Sequence, residues 1–166
     1  MANLIDSAVI TGGIGKDSGN LTEQGYRSEA DFLMQKIKLD ALTRHYKIPA
    51  IYLDELATNG GENARNSISL LTSNELPSDV LTAVAHATSA RRLGEMLKNE
   101  GIIINKDATP TVFIKPTSYN FDPTDPLDQA EARAELLRLA DWPAKDWLPP
   151  QNDLPEELVE FARDKQ

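Results

Sequence analysis

The chain has 166 residues, 40% of them apolar, which suits one domain large enough to bury a core. A net charge of −9 and a sequence pI near 4.7 exclude a general binder of nucleic-acid backbone, because the dominant electrostatic term would be repulsive. Cysteine is absent, and with it disulfides, thiolate nucleophiles and cysteine-based zinc sites, which fits a reducing, cytoplasmic setting. Nothing near Met1 reads as a signal peptide, and no apolar run approaches the roughly 18 residues of a spanning helix, so no membrane span is expected.

In chain order, Ser7-Ala8-Val9-Ile10-Thr11 is a β-prone run that stops at Gly12-Gly13-Ile14-Gly15. The glycines permit positive φ and close backbone approach, so this loop is a candidate anion holder at a strand's carboxyl end, with a plain tight turn as the equal alternative. It is not a P-loop, since Lys16 is followed by Asp17. It is not a dinucleotide fingerprint either, since residues 20–25 intervene before any helix. From Ser28 a helix is predicted with Ala30, Leu33, Met34, Ile37 and Ala41 as its apolar stripe. Glu29 falls in its first turn, where the helix dipole favours a carboxylate and supplies a sufficient structural reason for it. His45 follows near the helix end and is given no catalytic role; Pro49 marks the break before the next strand.

Ile51-Tyr52-Leu53 is the second strand, and it runs into Asp54-Glu55-Leu56-Ala57-Thr58-Asn59-Gly60-Gly61-Glu62-Asn63. Asn59 is a good N-cap and Glu62 stands three residues on, so the pair reads as a capping box, followed by Ala64, Ile68 and Leu71 at helical spacing. This corner carries more amides and charges than a turn requires, and a ligand could sit there.

After Pro77, Val80-Leu81-Thr82-Ala83-Val84-Ala85 reads as a third, central strand, ending on His86-Ala87-Thr88-Ser89-Ala90-Arg91-Arg92. Arg91 and Arg92 would stand in the first turn of a helix striped by Ala90, Leu93 and Leu97, where cations oppose the dipole. A carboxylate such as Glu62, or a phosphate-bearing ligand, would relieve that conflict; one structural ion pair with the other arginine solvated is the equal alternative. Thr111-Val112-Phe113-Ile114 is the fourth strand, limited by Pro116, and Thr117-Ser118-Tyr119-Asn120 could reach the same crevice. Residues 127–139 form a charged covering helix with Ala130, Ala134 and Leu137 available for packing. Trp142 and Trp147 anchor a proline-rich tail, and a short acidic surface helix over residues 155–163 closes the chain.

Strands alternating with helices predict an α/β, three-layer domain over residues 1–140, with a mostly parallel sheet of four strands and helices on both faces, and a tail, 141–166, packed on it. Residues 12–17, 55–63 and 86–92 all follow strands, so three polar loops should converge on the carboxyl side of the sheet, where ligands of open α/β sheets bind.

Four motifs, Ile10-Thr11-Gly12-Gly13-Ile14-Gly15, Ser28-Glu29-Ala30, the Thr58-Asn59-x-x-Glu62-Asn63-Ala64 core and Thr88-Ser89-Ala90-Arg91-Arg92, together resemble the YdcF/SanA/ElyC-like bacterial family, over about Ala8 to Ile104 and in the right order. The tryptophan-containing tail is similar to the YdcF branch. The resemblance implies a Rossmann-like fold and a ligand crevice lined by Gly12, Gly13, Gly15, Glu29, Thr58, Asn59, Glu62, Asn63, Arg91 and Arg92. Family-wide the biochemical role is poorly defined; some relatives are associated with envelope physiology, and the fold suits an adenine-nucleotide-like ligand such as S-adenosylmethionine. One departure stands out: such domains open with an earlier strand, glycine loop and helix, for which this chain has only residues 1–6. The expectation is therefore an N-terminally shortened version, with a second copy of the chain or the missing segment covering an open sheet edge.

The function expected is a small-molecule-binding module for an anionic or nucleotide-like ligand. The alternative is an enzyme of phosphoryl or methyl transfer type, linked to cell-envelope metabolism, in which Glu62 or His86 acts as general acid or base. No metal site is expected, because two histidines and scattered carboxylates show no ligand spacing.

Overall fold

A computed structural model describes residues 5–16, 18–36, 43–44, 47–105, 109–117, 122, 124–145, 148, 151 and 153–164. The expectations for Asp17, Ile37, Ala41, His45, residues 118–120 and Trp147 lie outside these residues. The fold is α/β, and the chain divides into two compact units, Met1–Ser78 and Asp79–Gln166.

In the first unit, strands β1 (Ala8–Thr11) and β2 (Ile51–Asp54) pair in parallel, with Ala8 opposite Ile51 and Thr11 opposite Asp54. Both runs are rich in β-branched and aromatic residues, which fit a pleated surface. Helices α1 (Glu29–Lys36) and α2 (Gly60–Ser73) pack on these strands. Ala64, Ile68 and Leu71 of α2 are buried as their spacing predicts, whereas on α1 only Ala30 of the expected stripe is buried; Leu33 is 41% exposed and Asp31 is buried in its place, because its carboxylate turns back to the Arg27 amide. Each residue preceding the two helices caps its third amide: Ser28 Oγ accepts from Asp31 N at 2.8 Å, and Asn59 Oδ1 from Glu62 N at 3.0 Å. The carboxylate at the third helical position reaches one residue further back than a capping box predicts. Asp31 takes the Arg27 amide at 3.0 Å, and Glu62 the Thr58 amide at 2.7 Å.

In the second unit, β3 (Val80–Ala85) and β4 (Thr111–Pro116) form another parallel pair, Val80 opposite Thr111. Pro116 occupies the last position of β4, where the missing N–H costs no interior ladder bond. Helix α3 (Ala90–Asn105) packs on both strands, with Gly94 set against Ile114. Burial alternates along β3 and β4, and Val80, Val84 and Phe113 are exposed. Helix α4 (Pro126–Asp141) starts at Asp125, whose side chain accepts from Leu127 N. A 3-10 turn (Pro143–Lys145) leads on, and α5 (Glu156–Arg163) packs on α4. On α4 the buried residues are Glu135 and Leu139, whereas Ala130 is exposed, because the helix turns its acid toward Arg92 of α3. Trp142 anchors the tail as expected, its ring 5.1 Å from the Arg92 guanidinium carbon. Among the described residues no helix is long and apolar enough to cross a membrane.

Candidate functional site

The parallel register brings the carboxyl ends of β1 and β2 together, and the connections leaving them meet there. Asp54, 5% exposed, organises this corner. Its Oδ2 accepts from Thr11 Oγ1 at 2.6 Å and from Asn66 Nδ2 at 3.2 Å. Its Oδ1 accepts from Asn66 Nδ2 and the Leu56 amide, both at 3.1 Å, and from the Ala57 amide at 3.3 Å. One side chain thus ties the end of β1 to the second turn of α2 and folds the β2–α2 loop back on itself.

The glycine loop faces the chain itself. Gly12 N donates to Asp54 O at 3.0 Å, Gly13 N to Ala57 O at 2.6 Å and Gly15 N to Ser18 Oγ at 2.7 Å. Its carbonyls are equally engaged, since Gly12 O accepts from Ala30 N and Gly13 O from Glu29 N, which satisfies the first turn of α1. A Cβ on Gly13 would stand 2.7 Å from the Glu55 and Ala57 carbonyl oxygens, and Gly12 adopts φ +142° beside the Glu29 side chain. These glycines therefore allow backbone to approach backbone, and their amides are not presented to a guest.

Glu29 Oε1 accepts from Ser18 Oγ at 2.7 Å, closing a chain from Gly15 N through Ser18 to α1. Glu55 Oε1 accepts from Ser28 Oγ and pairs with Arg27, both at 3.2 Å. At the start of α2, Glu62 Oε2 accepts from the Thr58 amide at 2.7 Å and the Thr58 hydroxyl at 2.9 Å. The Thr58 amide above all, then its hydroxyl, with Asn59 and Arg65 adding, hold the Glu62 carboxyl below its ordinary range. An acid held ionised in this way has no proton to give at neutral pH, which argues against Glu62 as a general acid. Asn63 Oδ1 stands 3.2 Å from Thr11 Oγ1. Among the described residues no hydrogen bond uses the amides of Gly60 and Gly61 at the α2 N-terminus.

Gly12, Gly13, Gly15, Glu29, Thr58, Asn59, Glu62 and Asn63 thus all belong to the first unit. Arg91, Arg92 and His86 belong to the second. Arg91 Nη2 pairs with Asp153 Oδ1 at 2.6 Å and reaches Gln151 Oε1 at 3.2 Å. Arg92 Nε pairs with Glu135 Oε1 at 2.6 Å, with side chains only 14% and 7% exposed, and Arg138 Nη1 holds the other Glu135 oxygen at 3.0 Å. The dipole conflict of the two arginines is relieved by Glu135 and Asp153. His86 Nδ1 lies 2.9 Å from Thr88 Oγ1, which donates to Glu131 Oε1 at 2.7 Å. With the Thr88 hydroxyl hydrogen directed at Glu131, the Thr88 oxygen can accept from His86 Nδ1–H.

Sequence reasoning gave no role to Asp54, Ser18 or Glu135, and it named Ser28 as a helix start and motif residue without its capping role. A signal existed for two of them: Ser28-x-x-Asp31 repeats the spacing of Asn59-x-x-Glu62, and an Asp at a strand end followed by a turn is a ready Asx-turn. Compared with known proteins, the chain matches no family model, no curated protein and no solved structure.

Proposed function

We propose that the corner at the carboxyl ends of β1 and β2 is a ligand site, and that the chain is a YdcF-like, Rossmann-type binding module. The observation that carries this reading is the register of Thr11 with Asp54, which delivers Glu29, Thr58, Asn59, Glu62 and Asn63 to one strand-end corner beside the unpaired α2 amides. The ligand contacts come from the start of α2, because the amides of Gly12, Gly13 and Gly15 are spent inside the chain.

The chemistry of the corner selects its guest. The Gly60 and Gly61 amides favour one carboxylate or phosphate edge. Glu29, Glu55 and Glu62 make a multiply charged anion a poor partner and favour hydroxyls and amines. A nucleoside that carries hydroxyls, an ammonium and a single carboxylate meets both demands, and S-adenosylmethionine has that composition. Arg91 and Arg92 are left out of this set, since each already holds a carboxylate.

The test is the melting temperature of the chain against S-adenosylmethionine, adenine nucleotides and phosphosugars, since a ligand selective for the native state raises it by linkage. The reading expects a saturable rise with S-adenosylmethionine, reduced in Asn63→Ala. No rise with any of these in a folded chain counts against it.

A second reading, a phosphoryl- or methyl-transfer enzyme, is favoured by the His86–Thr88–Glu131 cluster, in which His86 would act as general base. His86→Gln should then abolish turnover; retained turnover removes this reading.

A further inference from the structure

In the second unit, helices α4 and α5 line an open pocket of about 320 Å³. Its walls are mostly apolar: Pro126, Ala130, Ala134 and Leu137 from α4 and Ala162 from α5, with Gln129 as the polar neutral member. One cation enters it, Arg133. The electrostatic state of that cation is unusual for this chain. Arg27, Arg91, Arg92, Arg138 and Arg163 each hold a carboxylate at 3.3 Å or less. Arg133, among the described residues, holds none. Its guanidinium carbon lies 4.8 Å from the centre of the Phe161 ring, and its Nε is buried without a hydrogen-bond partner.

A guanidinium stripped of water at Nε, fixed on an aromatic face and left without an anion is poised to accept one. The terminal nitrogens are the accessible edge, since only Nε is enclosed without an acceptor. We propose that the α4–α5 pocket binds an apolar monocarboxylate, with the carboxylate on the Arg133 terminal nitrogens and the hydrocarbon body along Ala130, Ala134, Leu137 and Ala162. The net charge of the ligand follows from the surroundings. α4 and α5 also carry Asp128, Glu131, Glu156, Glu157 and Glu160, which would repel a dianion, so a single charge matched to a single arginine is favoured over a phosphate. The volume lies at the lower end of ligand pockets, which run from roughly 300 Å³ upward, and suits a chain of several carbons or one aromatic ring.

The probe is octanoate, titrated into the isotopically labelled full chain and read by amide chemical shifts, with 1-octanol as the uncharged control. The expected result is saturable shifts at Ala130, Ala134 and Ala162, and binding of 1-octanol weaker by about tenfold or more, the scale of one charge-assisted hydrogen bond. Arg133→Gln should weaken octanoate by a similar factor, and Arg133→Lys should restore part of it. Ala134→Leu, which fills the pocket without touching the cation, should abolish binding, with circular dichroism confirming an intact fold. Equal affinity for octanoate and octanol, or for wild type and Arg133→Gln, overturns the proposal. So does dimerisation of the wild-type chain that Ala134→Leu abolishes while octanoate fails to bind, which would give the pocket to a second copy.

Discussion

Replacing Asp54 by Asn preserves shape and volume while removing the charge that four donors converge on. Oδ1 serves two backbone amides and Asn66, and Oδ2 serves Thr11 and Asn66. If the new amide keeps its oxygen toward Leu56 N and Ala57 N, its nitrogen faces the Asn66 amide, donor against donor, while Thr11 can turn its hydroxyl to accept. If it flips, both backbone amides lose their acceptor. In the better case the loss is about one to two charge-assisted hydrogen bonds, roughly 2–4 kcal/mol. For a unit of this size that lowers the midpoint by at least about 8 °C. Hydrogen exchange of the β1 and β2 amides reads the first unit directly. Fluorescence of Trp142 and Trp147, both in the second unit, serves as the internal control. A double-mutant cycle with Thr11→Val should return a coupling above about 1 kcal/mol, as expected for groups in direct contact. A loss below about 1 kcal/mol, or no coupling, would refute the assignment of Asp54 as the organiser of the corner.

Gly13→Ala should destabilise the first unit by about 1–3 kcal/mol through overpacking, because the methyl meets two backbone oxygens that cannot rotate away; urea unfolding checks this. Glu135→Ala should cost about 3–5 kcal/mol, because it strands the half-buried Arg92 without an anion, and the loss should appear in tryptophan fluorescence. The acid limb of the stability curve follows from Glu62 and Asp31, both depressed below their ordinary values of 4.5 and 3.8. A carboxyl depressed by folding contributes stability that is complete above its unfolded value and lost as pH falls through the folded one. Unfolding at graded pH should therefore show a decline confined to the region below about pH 4.5, with a smaller slope in Glu62→Gln.

The parts of this account that were legible in the sequence are those set by local pattern. Strand positions followed from short β-branched runs, and the stripe Ala64, Ile68 and Leu71 followed from helical spacing. The Asn59 cap followed from residue type, with Glu62 misplaced by one residue because the N-terminal approach of the chain decides which amide its carboxylate can reach. What was not legible depends on partners far away in sequence. Gly12 and Gly13 look identical whether their amides face a ligand or the carbonyls of Asp54 and Ala57, and only the register of β1 on β2 decides between them. Arg92 likewise found its anion 43 residues away on α4, where Glu135 sits on a helix whose alanines had seemed the better packing face. The pairing of β1 with β2 and of β3 with β4 is a further long-range choice that strand propensity leaves open.

The measurement that bears most directly on the central claim is an amide chemical-shift titration of the labelled chain with S-adenosylmethionine. The account predicts saturable shifts at Gly60, Gly61 and Asn63, with Gly12 and Gly13 nearly unmoved because their amides stay bonded within the chain. Shifts centred on the amides of Gly12 and Gly13, or none at the start of α2 from a folded chain, would contradict it.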